Sequence, residues 1–168
     1  GNQENKNQIK AGNSLFINMI TIREATSADS RAIIEFQKKM AWETEHLKLD
    51  KSKVTAGVEA VFRNPAKGRY YVADDGGKVI ASLLITREWS DWRNIDIWWF
   101  QSVYVLPEYR RKGIFRMMFN VVKDAAIKEN VGGLRLYVES NNLPARKTYE
   151  AMGMTCEHYT MYEWLKDS

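Results

Sequence analysis

The sequence predicts an α+β (mixed α/β) chain, a sheet flanked by helices, and three features point there. Runs of strand period alternate with runs of helical period along most of the chain. Asp75-Gly76-Gly77 separates two β-rich runs, which is the chemistry of a hairpin turn. From residue 98 onward an apolar strand, a basic turn holding one glycine, a long amphipathic helix and another strand follow in succession. No internal repeat and no second domain is legible.

Taken in order, residues 1–18 are polar and without period, which predicts a disordered or tag-like extension ahead of a single domain over residues 19–168. Gly1 fits a tag scar, and Met19 a natural start. Residues 20–23 read as a short strand. Thr26-Ser27-Ala28-Asp29 reads as a helix N-cap with an acid in the first turn, and Ile33, Phe36 and Met40 then fall on one helical face. A second helix over 52–63 places Val54, Val58, Val61 and Phe62 on one side. Residues 69–74 and 78–87 form the hairpin. The strand from 98 is stopped by Pro107, and the helix over 113–129 repeats Phe115, Met118, Phe119, Val122 and Ala125 at helical spacing. Gly132-Gly133 closes that connection. A strand over 134–138, a short helix over 142–152 and a closing strand over 156–165 complete the chain, with Cys156 expected as a small core residue.

Composition excludes several classes. A chain of 168 residues supports one sizeable core, and 45% hydrophobic with 27% charged residues is ordinary for a soluble globular protein. No apolar run approaches the roughly 20 residues that cross a bilayer. One cysteine, Cys156, and two histidines, His46 and His158, leave no disulfide and too few ligands for a protein-built metal site. A reducing, cytoplasmic setting is expected. The net charge of +4 comes without a long Lys/Arg block, so it does not call for nucleic acid.

Chemistry concentrates at Tyr109-Arg110-Arg111-Lys112-Gly113-Ile114-Phe115. A strand feeding a turn at a helix N-terminus holds a phosphate well, because free N–H groups and the positive end of the helix dipole face the anion. Arg110, Arg111, Lys112 and Arg116 add charge in the same place.

Two signatures then resemble one family along residues 19–165. Arg110-Arg111-Lys112-Gly113-Ile114-Phe115 is similar to the acetyl-CoA pattern Gln/Arg-x-x-Gly-x-Gly/Ala of the GNAT superfamily of N-acetyltransferases, departing from it at Phe115. Asn142-Leu143-Pro144-Ala145, then Tyr149-Glu150 and Gly153-Met154, resembles that family's Asn-x-x-Ala, Tyr-Glu and Gly-Phe at the same intervals. The resemblance implies a mostly antiparallel, V-split sheet flanked by helices and an acetyl-CoA-dependent N-acetyltransferase acting by direct attack in a ternary complex. It also implies a cofactor site of Val103, Tyr104, Val105, Arg110, Arg111, Lys112, Gly113, Ile114, Phe115, Arg116 and Asn142. The pantetheine amides would lie along the strand ending at Val103-Tyr104-Val105, where a backbone N–H can polarise the thioester carbonyl. A small residue at position 115 would let the backbone approach the pyrophosphate, so Phe115 must turn its ring into the helix–sheet core.

Tyr149 is the expected proton donor to the departing thiolate; a phenol of pKa about 10 does this only when well positioned. An ammonium of pKa about 10.4 is about a thousandth neutral at pH 7, so a base is needed. The strand before the turn offers only Gln101 and Ser102, which leaves Glu88, Asp91, Glu139 or a water relay, with Glu88 the named candidate. Glu88-Trp89-Ser90-Asp91-Trp92-Arg93 reads either as a substrate wall, through Trp89 and Asp91, or as a tryptophan-stapled turn. Glu43 and Glu45, after the first helix, would suit a basic small-molecule or peptide amine. Other readings stay open: a CoA-binding module without turnover, or a basic nucleic-acid-binding domain, which would not account for the Asn142/Tyr149 spacing. Exposed tryptophans and the edge of the last strand make a homodimer plausible.

Overall fold

A computed structural model describes residues 19–166. The extension over 1–18 lies outside the described residues. The chain divides into two compact units, one running to Leu136 and the other from Tyr137.

The first unit holds β1 (Ile20–Glu24), α1 (Ser30–Glu45), α2 (Lys51–Arg63), β2 (Arg69–Asp75), β3 (Lys78–Ser90), β4 (Ile95–Val105), α3 (Ile114–Lys128) and β5 (Gly133–Arg135). The five strands form one sheet in the order β1-β2-β3-β4-β5. The first three pairings are antiparallel, and β4–β5 is parallel. The β2–β3 hairpin turns at Gly76 and Gly77, with φ of 59° and 96°, and the Gly77 N–H donates to Asp74 Oδ1 at 2.6 Å. Two successive positive φ values match the twist of the flanking strands, which is why glycines sit there.

Successive strand residues face opposite sides of the sheet, and here each side is covered. On one side Tyr70 and Val72 join Ile33 of α1 and Val58 of α2 in a buried cluster, with Val61, Phe62 and Leu84 packed around it. On the other side α3 buries Ile114, Met118, Phe119, Val122 and Ala126. The Phe119 ring stacks on Phe100 of β4 with centroids 5.5 Å apart. The expected helical stripe is therefore present, although Ala126 rather than Ala125 completes it. Before α1, a 3-10 turn over Ser27–Asp29 carries the capping chemistry: Asp29 accepts the Thr26 N–H at 2.8 Å and both terminal nitrogens of Arg23, at 2.8 and 3.0 Å. Arg23 also reaches Asp74 at 2.9 Å, tying β1 to β2.

The strand expected over 134–138 is shorter than the pattern suggested. Its ladder with β4 joins only Ile97, Trp98 and Trp99 to Gly133, Leu134 and Arg135.

The second unit holds α4 (Leu143–Ala151), capped by Asn142, whose side chain accepts the Ala145 N–H at 3.2 Å. The closing strand expected over 156–165 is not formed. Aromatic and β-branched residues favour strands only when a partner supplies ladder bonds and a surface to pack on. Here Tyr159, Tyr162 and Trp164 are exposed. For the same reason Cys156 is exposed rather than a core residue, and Arg146 Nη2 donates to its sulfur at 3.6 Å.

Candidate functional site

The site is built where β4 passes into α3. The β3–β4 register steps from Ser82↔Tyr104 to Leu84↔Gln101, so β4 spends one extra residue there and bulges. Ser102 takes up the bulge with φ of 50°, a left-handed conformation costing an L-residue about 1–2 kcal/mol. Beyond the bulge, the Leu106 N–H donates to the Ile80 carbonyl at 2.9 Å. Antiparallel pairing alternates, so the N–H and C=O of Val105 point to the opposite edge of β4. That is the β5 side, and the β5 ladder has already ended at Trp99. Among the described residues the β4 edge over 100–105 has no strand beside it.

After β4 the chain makes a 3-10 turn over Pro107–Tyr109 and then a tight basic turn. Arg111 and Gly113 are left-handed, with φ of 62° and 80°. A Cβ on Gly113 would meet no atom within 4 Å, so the glycine serves its backbone angle rather than a close contact. Alternating backbone conformations of this kind turn successive N–H groups toward one concave face. In α3 the Met117 N–H donates to the Gly113 carbonyl at 3.1 Å, so the N–H groups ahead of it in the first turn have no partner within the helix. Ile114 is buried beneath them, while Arg111, Lys112 and Arg116 are exposed. The Phe115 ring packs against Phe100 and Phe119, with centroids 6.0 and 6.3 Å apart, which is the inward orientation required of it.

Arg110 behaves differently from its neighbours. Its Nε donates to the Val105 carbonyl at 2.8 Å and its Nη2 to Glu43 Oε2 at 2.6 Å. The other Glu43 oxygen accepts the Tyr104 hydroxyl at 2.8 Å. Burial works to raise the Glu43 carboxyl, but the Arg110 and Tyr104 bonds outweigh it and hold the group below its ordinary value. Burial and the same carboxylate push the Tyr104 phenol up to about 12. Tyr109 is pinned to the hairpin turn by its hydroxyl, which donates to Asp75 Oδ2 at 2.7 Å. Lys112 and, unforeseen from sequence, Lys78 lie over the Tyr109 ring at 5.6 and 5.5 Å.

At the far end of β4, Glu88 accepts the Trp99 indole N–H at 2.5 Å and Arg135 Nη1 at 2.9 Å. The indole bond draws its carboxyl below the ordinary value, burial opposes that next, and the Arg135 contacts add to the lowering. Glu88 pairs in register with Ile97, five residues from Ser102, so roughly 16 Å of strand separates it from the bulge. Trp99 and Arg135 lie 11 and 47 residues from Glu88 in the chain, with no local pattern to announce them. Gln101 Nε2 donates to Thr86 Oγ1 at 2.7 Å on the same face. Asp91 accepts the Trp92 N–H at 2.9 Å, and Glu45 and Trp89 are exposed. In the second unit Asn142 caps α4, and Tyr149, on α4, is half-buried with its phenol raised by that burial. Among the described residues no cluster of three or more His, Cys, Asp or Glu could hold a metal ion, and no helix is long and apolar enough to cross a membrane.

Known proteins resemble this chain in sequence and in fold. The mycothiol acetyltransferase of Corynebacterium aurimucosum is 27% identical over 118 residues, 68% of this chain and 39% of that protein. The chain thus spans about two fifths of the length of that relative. The crystal structure of a possible acetyltransferase from Clostridium difficile 630 matches with a TM-score of 0.81 and 46% identity, over 89% of this chain and 99% of the other. AAC(6')-Iy in complex with the bisubstrate analogue CoA-S-monomethyl-acetylneamine has the same fold at a TM-score of 0.72 and 13% identity, over 88% of this chain and 99% of the other. The acetyltransferase (GNAT) family model matches residues 27–154, more than half of the chain. A mixed sheet, a strand–turn–helix at its open edge and this family match agree: the chain belongs to the acetyltransferase (GNAT) family.

Proposed function

We propose that this chain transfers the acetyl group of acetyl-CoA to a primary amine of a small molecule or peptide, by direct attack in a ternary complex. The observation that carries the reading is the left-handed pair Arg111 and Gly113 at the start of α3, next to a bulged strand edge. The turn's N–H groups and the exposed Arg111, Lys112 and Arg116 suit a pyrophosphate. The N–H of Val105 faces the open edge and suits an amide of the pantetheine arm, as a strand would.

Acetyl-CoA supplies an activated thioester when bound. The β4 edge would hold it, a backbone N–H of the 102–103 bulge would be the hydrogen-bond donor available to its thioester carbonyl, and the chain's side chains would move protons. The Tyr149 phenol is ordinarily protonated at neutral pH, and burial raises it further. It can therefore serve as a donor to the departing sulfur, as a weaker acid that depends on close positioning, and not as a resting base. Glu88, drawn low by Trp99 and Arg135, is a poor proton acceptor, so a water relay is the better reading for the ammonium proton.

The experiment is calorimetric titration with acetyl-CoA, followed by thiol-release assays over a panel of amines. Tyr149→Phe should lower turnover on a true acceptor while leaving cofactor affinity near wild type. Unchanged turnover at every pH would remove Tyr149 from the mechanism.

A further inference from the structure

Glu43 lies in the last turn of α1, on the opposite side of Arg110 in the chain by 67 residues, yet it reaches the first residue of the basic turn. Both of its carboxylate oxygens already have donors, Arg110 on one and Tyr104 on the other. The Arg110 guanidinium lies 5.3 Å from the Tyr104 ring centroid, and its Nε holds the Val105 carbonyl. One carboxylate therefore fastens together the end of a helix, the last residues of β4 and the entrance to the turn.

Such a turn needs fastening. Arg111 is a non-glycine residue held left-handed, and conformations of that kind persist only where the surroundings over-determine them. Tyr109, bonded to Asp75, fixes the turn against the hairpin, and Arg110 fixes it against α1. With two of its three guanidinium nitrogens, Nε and Nη2, committed, Arg110 serves the turn's shape. Glu43, with both oxygens occupied, is poorly placed to wait for a cationic acceptor.

We infer that Glu43 is a positioning residue for cofactor binding: acting through Arg110, it holds the turn and the adjoining β4 edge in the shape that receives coenzyme A. This rests on the cofactor site proposed above. It makes the end of α1, foreseen as an acceptor contact, a determinant of cofactor affinity instead.

The test is a double-mutant cycle on the dissociation constant of coenzyme A, by calorimetry, with Glu43→Ala, Arg110→Ala and the double variant. Both side chains are partly exposed, at 37% for Glu43 and 42% for Arg110. Each single change should therefore weaken binding about fivefold, the reach of a well-formed surface ion pair. The double variant should bind no worse than Arg110→Ala alone. Thermal melts of all three should stay close to wild type, since neither side chain is in the core. Loss with Arg110→Ala but not with Glu43→Ala would mean that the arginine meets the phosphates directly and would overturn the inference, as would strictly additive losses. If the wild-type protein itself does not bind coenzyme A, the cofactor reading fails and this inference with it.

Discussion

Replacing Gly113 by alanine separates backbone shape from space at the basic turn. The φ of 80° and ψ of 13° at this position are left-handed, and a new methyl group would meet no atom within 4 Å. The whole cost is thus conformational, about 1–2 kcal/mol for an L-residue held there. In a chain of this size that lowers the melting temperature by roughly 2–8 °C, at about 2–4 °C per kcal/mol. If the turn instead relaxes to escape the cost, stability returns but the N–H groups no longer converge, and coenzyme A binding weakens. Thermal melts followed by circular dichroism, paired with calorimetric titration, catch either outcome. Gly113→Asn is the control, because asparagine tolerates left-handed angles and should lie between wild type and alanine on both readouts. A backbone role for Gly113 is refuted if Gly113→Ala melts and binds like wild type, or if asparagine is worse than alanine.

Three further outcomes are expected. Phe115→Ala removes a ring packed on Phe100 and Phe119 but only partly buried, so urea unfolding should show a loss of about 2 kcal/mol, below the full-burial figure for phenylalanine. Asp29 has its carboxyl lowered chiefly by the Arg23 bonds, so its contribution to stability is complete above its ordinary value of 3.8 and drains away as pH falls below that toward the folded value. Asp29→Asn should flatten that acid limb of the stability–pH curve, and an unaltered limb would assign it to other carboxylates. Glu88→Gln should leave the rising alkaline limb of the turnover profile in place, because Arg135 and Trp99 already hold that carboxylate ionised. Disappearance of the limb would restore Glu88 as the base.

What the sequence made legible was local. The hairpin at Gly76-Gly77, the apolar stripe of α3 and the turn around Gly113 are each written in a dozen consecutive residues, and each stands where its pattern placed it. The inward ring of Phe115 also followed from local reasoning, since helical spacing left only one side for it. What stayed hidden depends on partners far along the chain. Glu43 was an unpartnered acid until folding brought Arg110 to it, and Glu88 was a free carboxylate until Trp99 and Arg135 closed on it. The strand expected over 156–165 failed for a related reason: its aromatics show β propensity, but propensity does not supply a neighbour. Arg135 closes β5 after three residues, a length no periodicity could have specified.

The unpaired edge of β4 carries a hazard as well as an opportunity. A row of outward N–H and C=O groups is a template on which any extended segment of another molecule can dock, and proteins often blunt such edges with charge. Here the guard is a guanidinium seated on the Val105 carbonyl. A stray strand would have to evict it and separate it from Glu43 before finding a place to pair. Removing Arg110 thus exposes the protein to self-association in solution, independently of anything it does to catalysis, and turbidity of concentrated samples would register that loss of protection.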